Sequence, residues 1–193
     1  MKTRIGLALP LTACLFAAGC VVQSIRPWLS DESRVKDPPL AGSWHDAKSK
    51  TAAFFGESSS SDYDWAVLLV QDGKEAGRFS ANLHRIGEDL LLVVGPEERD
   101  DLGLFALQPA HLLFRAVLEA DSLALHEVDL DAFRERAGKA QLPLLPGGSR
   151  SEGFLLVGTT ADAEAFVRAQ LADPGFFAEK PLYSFRKLPG SAE

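Results

Sequence analysis

Short apolar runs separated by turn residues fill most of the chain from residue 40 onward. Residues 65–70 form a continuous apolar run of strand length, and Asp72-Gly73 follows it as a hairpin turn signal. Apolar and polar side chains alternate over residues 78–84, which is the pattern of a half-buried strand. The alternation recurs over residues 112–118, and a short turn leads from there into another strand over 123–128. This series of short strands with short connections predicts antiparallel pairing.

Two segments carry a helical period instead, and they predict helices near 130–137 and 161–172. In the first, three apolar side chains share one side, and Asp129 stands where an N-terminal cap is expected. In the second, mostly apolar residues repeat at helical spacing after Thr159 and Thr160, either of which can cap the helix. Pro174-Gly175 then ends it.

These elements place the chain in the mainly β class, as one antiparallel β domain with two helices over residues 41–188, followed by a tail over 189–193. A parallel sheet would need a helix between most strands, and closure into a barrel removes the exposed sheet edges. We therefore expect an antiparallel barrel or a strongly curved sheet, with the helices packed outside it or across an end. Phe114 is expected in its core, and Arg78 on its outer face.

The start of the chain has the pattern of a secretory signal. Lys2 and Arg4 supply positive charge, and residues 5–18 form an uncharged, mostly apolar run that is short for a transmembrane helix. The ending Phe16-Ala17-Ala18-Gly19-Cys20 resembles the lipobox of bacterial lipoproteins. That resemblance implies a signal peptide over residues 1–19, cleavage before Cys20, a diacylglycerol on its sulfur and often an acyl chain, such as palmitate, on its amine.

Alternatives to this interpretation are an ordinary cleaved signal, which would release the protein, and an uncleaved helix. The segment ending at Cys14 also looks like a lipobox, but Arg4 and Pro10 lie close to it, which favours Cys20. Bacterial lipoproteins with Asp after the cysteine tend to stay at the inner membrane, whereas this chain has Val21 there. We expect an outer-membrane lipoprotein, anchored by two or three acyl chains, with its domain facing the periplasm.

Residues 20–40 have the composition of a linker. Three prolines stiffen the segment, its charges nearly cancel, and no hydrophobic period is present. The lipidated cysteine and this segment are therefore predicted to form a flexible tether that holds the domain off the membrane. Trp28 within it is either a membrane-interface anchor or a residue packed on the domain.

The charge composition of the chain limits the classes of partner that it can bind. The chain has 193 residues, with 20 Lys and Arg against 27 Asp and Glu, and loss of residues 1–19 takes away two of those basic residues to leave a formal charge of −9. Such an acidic chain without a basic cluster is a poor nucleic-acid binder. Because Cys14 would leave with the signal, Cys20 is the only cysteine that remains, and the packed core holds the fold without a disulfide.

Two further resemblances concern the β series. Gly42-Ser43-Trp44 resembles the G-x-W opening of the lipocalin-like barrels, in which the Trp plugs the barrel floor. From Trp44 to Lys187 the chain is similar to a group of uncharacterised bacterial envelope lipoproteins, through residues 111–133 and 159–177 above all. The first resemblance implies a lipocalin-like barrel, and the second supports the fold and the location without implying any activity.

Candidate catalytic and metal-binding residues do not form a motif in the sequence. The four histidines (His45, His84, His111 and His126) stand on separate predicted strands, and there is no HExxH. There is no G-x-S-x-G elbow, calcium loop or phosphate loop either, and the acidic stretch 97–101 is typical of a solvated turn. We therefore expect a protein that is not an enzyme and carries no metal or cofactor.

One pair of polar residues suggests a ligand site. Arg115 shares a strand face with Leu113 and Val117, and His126 lies on the adjoining strand among apolar neighbours. Inward polar groups among aliphatic side chains hold the head group of a ligand in many barrels, so Arg115 and His126 are candidate ligand-binding residues. The alternative is an ion pair at the rim with a neighbouring glutamate.

Two functions follow from these patterns. The first is a membrane-anchored accessory or scaffold module that contacts other envelope proteins. The second is a lipocalin-like binder of an apolar small molecule or acyl chain. The filling of the barrel interior distinguishes them, because large aromatic side chains pointing inward from most strands would close the interior to ligands.

The lipid anchor can be tested by replacing each cysteine in turn. We expect Cys20→Ser to give an uncleaved or mislocalised precursor and Cys14→Ser to change little. Metabolic labelling with an alkyne fatty acid measures the modification directly. Equal labelling of the Cys20→Ser protein and the unchanged protein would contradict the assignment of Cys20.

Overall fold

Twelve strands and two α-helices are present among the residues that the computed structural model describes, which are 22–36, 40–97, 110–146 and 153–190. The strands are β1 (Val22–Ser24), β2 (Arg34–Val35), β3 (Gly42–Asp46), β4 (Thr51–Glu57), β5 (Trp65–Gln71), β6 (Lys74–Ile86), β7 (Asp89–Pro96), β8 (Leu112–Leu118), β9 (Ser122–Glu127), β10 (Leu144–Pro146), β11 (Phe154–Leu156) and β12 (Tyr183–Lys187). The helices are α1 (Leu130–Lys139) and α2 (Thr160–Gln170). Both lie within a few residues of their predicted positions.

The predicted signal peptide over 1–19 and its Cys20 lie outside the described residues. Among the residues that are described, no helix combines the length and the apolar composition needed to cross a membrane.

Eight of the strands close into an antiparallel barrel. Strands β3 to β9 follow one another as a meander in which each pairs antiparallel with the next. Strand β12 pairs antiparallel with both β9 and β3, and this closes the ring. The mainly β fold and the lipocalin-like antiparallel barrel predicted from the sequence are confirmed, in the closed form rather than as an open curved sheet.

The alternation of each strand divides its side chains between the barrel interior and the outside. Phe114 is only 8% exposed and packs in the interior core, as predicted. Arg78 lies on the outer face of β6, where it forms an exposed ion pair with Glu75. The strand faces inferred from the sequence are therefore correct for β6 and β8.

Trp44 is buried in the barrel core, toward the end at which β3 begins, which is the floor of the barrel. Its side chain is 1% exposed, and its indole Nε1 donates a 2.8 Å hydrogen bond to the carbonyl oxygen of Leu40. The Nζ atom of Lys187, the last residue of β12, lies 5.3 Å from the centre of the Trp44 ring. Trp65 is buried in the same core.

A second hydrophobic core lies outside the barrel wall. Strands β1, β11 and β10 form a small sheet, and with α1 and α2 they cover the outer faces of β7 and β8. Phe133 of α1 is at the centre, with its ring 6.2 Å from Trp28 and 5.7 Å from Phe166 in edge-to-face contacts. Such edge-to-face pairs add to the stabilisation from burial. The helices pack outside the barrel, which is one of the two positions expected for them.

The N-terminal segment belongs to this second core. Val22 begins a strand that pairs in parallel with β11, and Trp28 is fully buried. The Trp28 Nε1 donates to the carbonyl oxygen of His111 at 3.0 Å, and the Ser30 amide donates to Glu164 Oε2 at 2.8 Å. The prediction of a flexible tether is therefore wrong for residues 22–36, because a few apolar side chains without a period are enough to dock this segment.

The same segment also buries the outer face of β6. Ser33 Oγ and His84 Nδ1 lie 3.0 Å apart, and the Asn82 amide bonds the backbone of Asp62 and Asp64 at 2.8 Å each. Arg34 binds the Asp64 carboxylate with two hydrogen bonds of 2.7 and 2.8 Å. The alternation of β6 predicted a half-buried strand, but its polar face is covered at Asn82 and His84, whose polar groups are satisfied by hydrogen bonds.

Trp28→Ala tests the docking of the N-terminal segment. Loss of this fully buried ring should lower the free energy of unfolding by about 3–5 kcal/mol, and the midpoint of thermal unfolding by about 10 °C. Phe54→Ala is the control, because Phe54 is 39% exposed on the outer face of β4 and its loss should cost less than about 1 kcal/mol. If Trp28→Ala left the free energy of unfolding unchanged, the segment would not be docked, and the flexible tether would be the better description.

The buried His84 makes stability depend on pH. Burial lowers the pKa of His84 to about 4, while the unfolded chain has the ordinary value near 6.5. The unfolded state therefore binds the proton first, so this contribution is complete above pH 6.5 and is lost as the pH falls toward 4. We expect a loss of about 2 kcal/mol in urea unfolding between pH 7.5 and pH 5.

His84→Asn should make that pH dependence shallower, whatever its effect at pH 7.5. His45→Asn is the matched control, since His45 is exposed on β3, and it should keep the dependence of the unchanged protein. Equal slopes for the His84→Asn and His45→Asn proteins would contradict the assignment.

Candidate functional site

A cavity of about 170 Å³ lies in the barrel and is partly open to solvent, and the rings of Trp44 and Trp65 are not part of its lining. Most of its wall is made by inward side chains of the barrel strands, mainly aromatic and aliphatic, and Val22, Leu113 and Val128 of the second core also line it. Among the inward side chains are Phe55, Val67, Phe79, Leu92, Phe114 and Phe185. The cavity reaches the end of the barrel where β9 ends and β12 begins, because Glu127 and Tyr183 also line it.

The inward residues explain why one half is filled and the other is not. Toward the floor, the large rings of Trp44 and Trp65 and the side chain of Leu40 fill the interior. Across from Trp44 on β4, the small Ala53 lines the cavity and leaves space beside it. Protein interiors pack to the density of organic crystals, so an unfilled space of this size is an exception that an apolar molecule can occupy.

Two polar side chains line the cavity, those of Glu127 and Tyr183. Glu127 is the last residue of β9 and pairs with the inward Phe114, so its side chain points to the interior. Tyr183 pairs with Leu125, and its ring stacks on Phe185 with 5.2 Å between ring centres. Within the described ranges, no hydrogen bond or ion pair reaches the Glu127 carboxylate, which is half-buried.

The ionisable side chains that line the open end are a carboxyl group and a phenol. Burial, and then the nearby charge of Asp129, raise the pKa of Glu127. Burial also raises the pKa of Tyr183, with smaller effects from the charges of Asp46 and Glu127. No Lys, Arg or His is among the described residues that line the cavity. The ionisable groups there therefore favour a positively charged or hydrogen-bond-donating partner.

Arg115 and His126 lie on the outside of the barrel. They face each other across β8 and β9, on the side opposite to Phe114. Arg115 donates two hydrogen bonds to Asp89 Oδ1, at 2.9 and 2.6 Å, and its guanidinium carbon lies 5.2 Å from the centre of the Phe177 ring. His126 Nδ1 donates to the carbonyl oxygen of Ala178 at 2.9 Å.

The interior head-group site predicted for Arg115 and His126 is therefore absent from the described barrel. The apolar neighbours that suggested it belong to the outer wall: Leu113 packs in the second core, and Val117 is 48% exposed. An apolar face on a strand was taken for the inside because the sequence does not show that this wall has two buried faces. Arg115 and His126 instead fasten residues 177–178 to the barrel.

The remaining histidines have structural contacts or solvent around them. His111 Nδ1 lies 3.3 Å from the carbonyl oxygen of Ser24, and its Nε2 accepts from the Tyr63 hydroxyl at 3.1 Å. His45 is exposed, and His84 bonds Ser33. Residues 22–36, 40–97, 110–146 and 153–190 contain no group of three or more metal-ligating side chains.

Glu127 and Tyr183 are the residues that sequence reasoning missed as ligand groups. The available signal was their register: Glu127 is two residues after the inward Leu125, and Tyr183 is two residues before the inward Phe185. Glu127 therefore shares the alternation of the inward side chains and stands at the end of its strand, which places its carboxylate at the mouth of the barrel.

Comparison of the chain with models of protein families, with curated proteins and with solved structures finds no match. Its own cavity and the groups at the cavity mouth are therefore the observations from which a function can be argued.

Proposed function

We propose that the protein is a membrane-anchored barrel that binds a small apolar molecule, or the end of a longer apolar chain, in its interior cavity. The observation that carries this proposal is the cavity of about 170 Å³ with its almost wholly apolar wall. An engineered cavity of about 150 Å³ lined by apolar side chains stays dry and takes up benzene. A ring or a short branched hydrocarbon is therefore the size of group that fits.

The interior filling favours binding over a purely structural role. A scaffold module that only contacts other envelope proteins needs no interior space, and its barrel would be filled at both ends. Here the rings of Trp44 and Trp65 fill the floor, whereas the opposite half holds the cavity. A cavity that takes up a ligand and is not lined by a catalytic group is typical of a carrier or a sensor. We propose no enzymatic step.

The N-terminal segment supports a link between this cavity and a membrane. Val22 lines the cavity and is 4% exposed. Cys20, the proposed lipid attachment, precedes it by two residues, and two extended residues span about 7 Å. A lipidated Cys20 would therefore hold the barrel close to the membrane rather than at a distance from it. Apolar molecules partition into the membrane, so the cavity would lie near its source of ligand.

Filling the cavity should abolish binding. Ala53 lines the cavity and is 1% exposed, so Ala53→Leu places three more carbon atoms in the space. Toluene at ten times its Kd should raise the free energy of unfolding of the unchanged protein by about 1.4 kcal/mol, and its thermal midpoint by about 3–5 °C. The Ala53→Leu protein should show no such rise.

The measurement is thermal unfolding of the full chain in lipid nanodiscs. Ala66→Leu is the matched control, because it adds the same atoms on the exposed face of β5 and should keep the response to toluene. If toluene has no effect on the unchanged protein, or the same effect on the Ala53→Leu protein, the proposed cavity is not a binding site.

A further inference from the structure

We infer that the cavity selects an apolar molecule that carries a cationic amine, with the apolar body inside the barrel and the ammonium group on the Glu127 carboxylate at the mouth. This inference rests on the proposed function and adds the chemical class of the ligand. It also narrows the class, because it argues against a free fatty acid.

Glu127 lies at the mouth of the cavity. It is the last residue of β9, and the preceding inward residue of that strand, Leu125, belongs to the apolar wall. Within the described parts of the chain, it has neither a hydrogen-bond donor nor a cation as partner. Other partly buried acids here are satisfied: Asp64 by Arg34, and Glu164 by Arg168 and the Ser30 amide. Glu127 is different because it is directed into a ligand-sized space.

Carboxylates stand close to the cavity mouth. Asp129 follows two residues after Glu127, and Asp46 is close enough to Tyr183 to affect its pKa. Asp46 itself stays ionised, since hydrogen bonds from the amides of Ser184, Lys48 and Ser49 outweigh burial and lower its pKa. A ligand carboxylate inside the mouth would meet Glu127 and no cation among the described residues that line the cavity, whereas an ammonium would gain charge-assisted hydrogen bonds.

Aromatic rings form the cavity wall beneath the mouth. Tyr183 stacks on Phe185 with an angle of 21° between the rings, and Phe114 lies opposite Glu127 across β8 and β9. Aromatic faces attract cations, and most strongly where water is excluded. Tyr183 lines the same cavity as Glu127, and its phenol oxygen is a further acceptor there. The mouth therefore combines a carboxylate, a phenol and aromatic rings, a set suited to an ammonium group.

Three probes that share a benzene-sized body separate the head groups: benzylamine, benzyl alcohol and benzoate. Their binding is measured by titration calorimetry on the full chain in nanodiscs, with empty nanodiscs as the reference. We expect benzylamine to bind about tenfold more tightly than benzyl alcohol, and benzoate at least about tenfold more weakly than the alcohol.

Glu127→Gln keeps the shape of the side chain and removes its charge. This variant should bind the three probes within about threefold of one another, with benzyl alcohol unchanged. Glu88→Gln is the matched control: it removes the same charge from an exposed turn at the floor end of the barrel, and it should keep the ranking of the unchanged protein.

The outcomes separate the two proposals. If the unchanged protein binds none of the three probes, the proposed function fails. If it binds benzyl alcohol or benzoate at least as tightly as benzylamine, the cavity is a binding site and the amine inference fails. Should the Glu127→Gln protein not fold, that ranking in the unchanged protein still decides. A ranking that survives Glu127→Gln unaltered would also overturn the role of Glu127.

Discussion

The structure depends on one stretch of barrel wall that is buried on both of its faces. Strands β7 and β8 send Leu92 and Phe114 into the barrel, while Leu91, Val93 and Leu113 point outward into a second core. A strand with two apolar faces is stable only when both are covered. The barrel covers the inner face, and α1, α2 and the small sheet cover the outer one. The two helices and the small sheet are placed by this requirement.

The N-terminal segment completes that cover and connects it to the cavity. Trp28 fills the second core against Phe133, while Val22 at the start of the segment lines the barrel cavity. The hydrogen bonds between Ser24 and His111 hold the segment next to the beginning of β8. A segment that the linker-like composition assigns to solvent therefore joins the proposed anchor, the outer core and the proposed ligand site.

The cavity is the consequence of an uneven interior. Trp44 and Trp65 fill the floor, where the hydrogen bond from Trp44 to Leu40 fixes the plug. At the other end the wall is apolar but not filled, and the polar groups stand only where the strands stop. This division produces a space that excludes water from the body of a ligand and leaves its head group beside Glu127 and Tyr183.

Local pattern was enough to predict most of the barrel strands, the two helices and the core faces of β6 and β8, because period and turn chemistry act over neighbouring residues. Phe114 and Arg78 lie on the predicted faces, and Asp129 and Thr159 cap the helices through hydrogen bonds to Ala132 and Asp162. Closure of the barrel was one of two forms expected from the sequence, because it removes the exposed edges of an antiparallel sheet.

The tertiary structure alone decided which apolar faces meet. Arg115 lies on an apolar strand face, as the sequence indicated, but that face packs against helices rather than around a ligand. Trp28 had two possible environments, and only the second core shows that it is a packing residue. The filling of the interior and the pairing of Glu127 with an unfilled space depend on contacts between strands far apart in the chain. Periodicity records which side of an element is apolar, whereas the partner of that side is set by the fold as a whole.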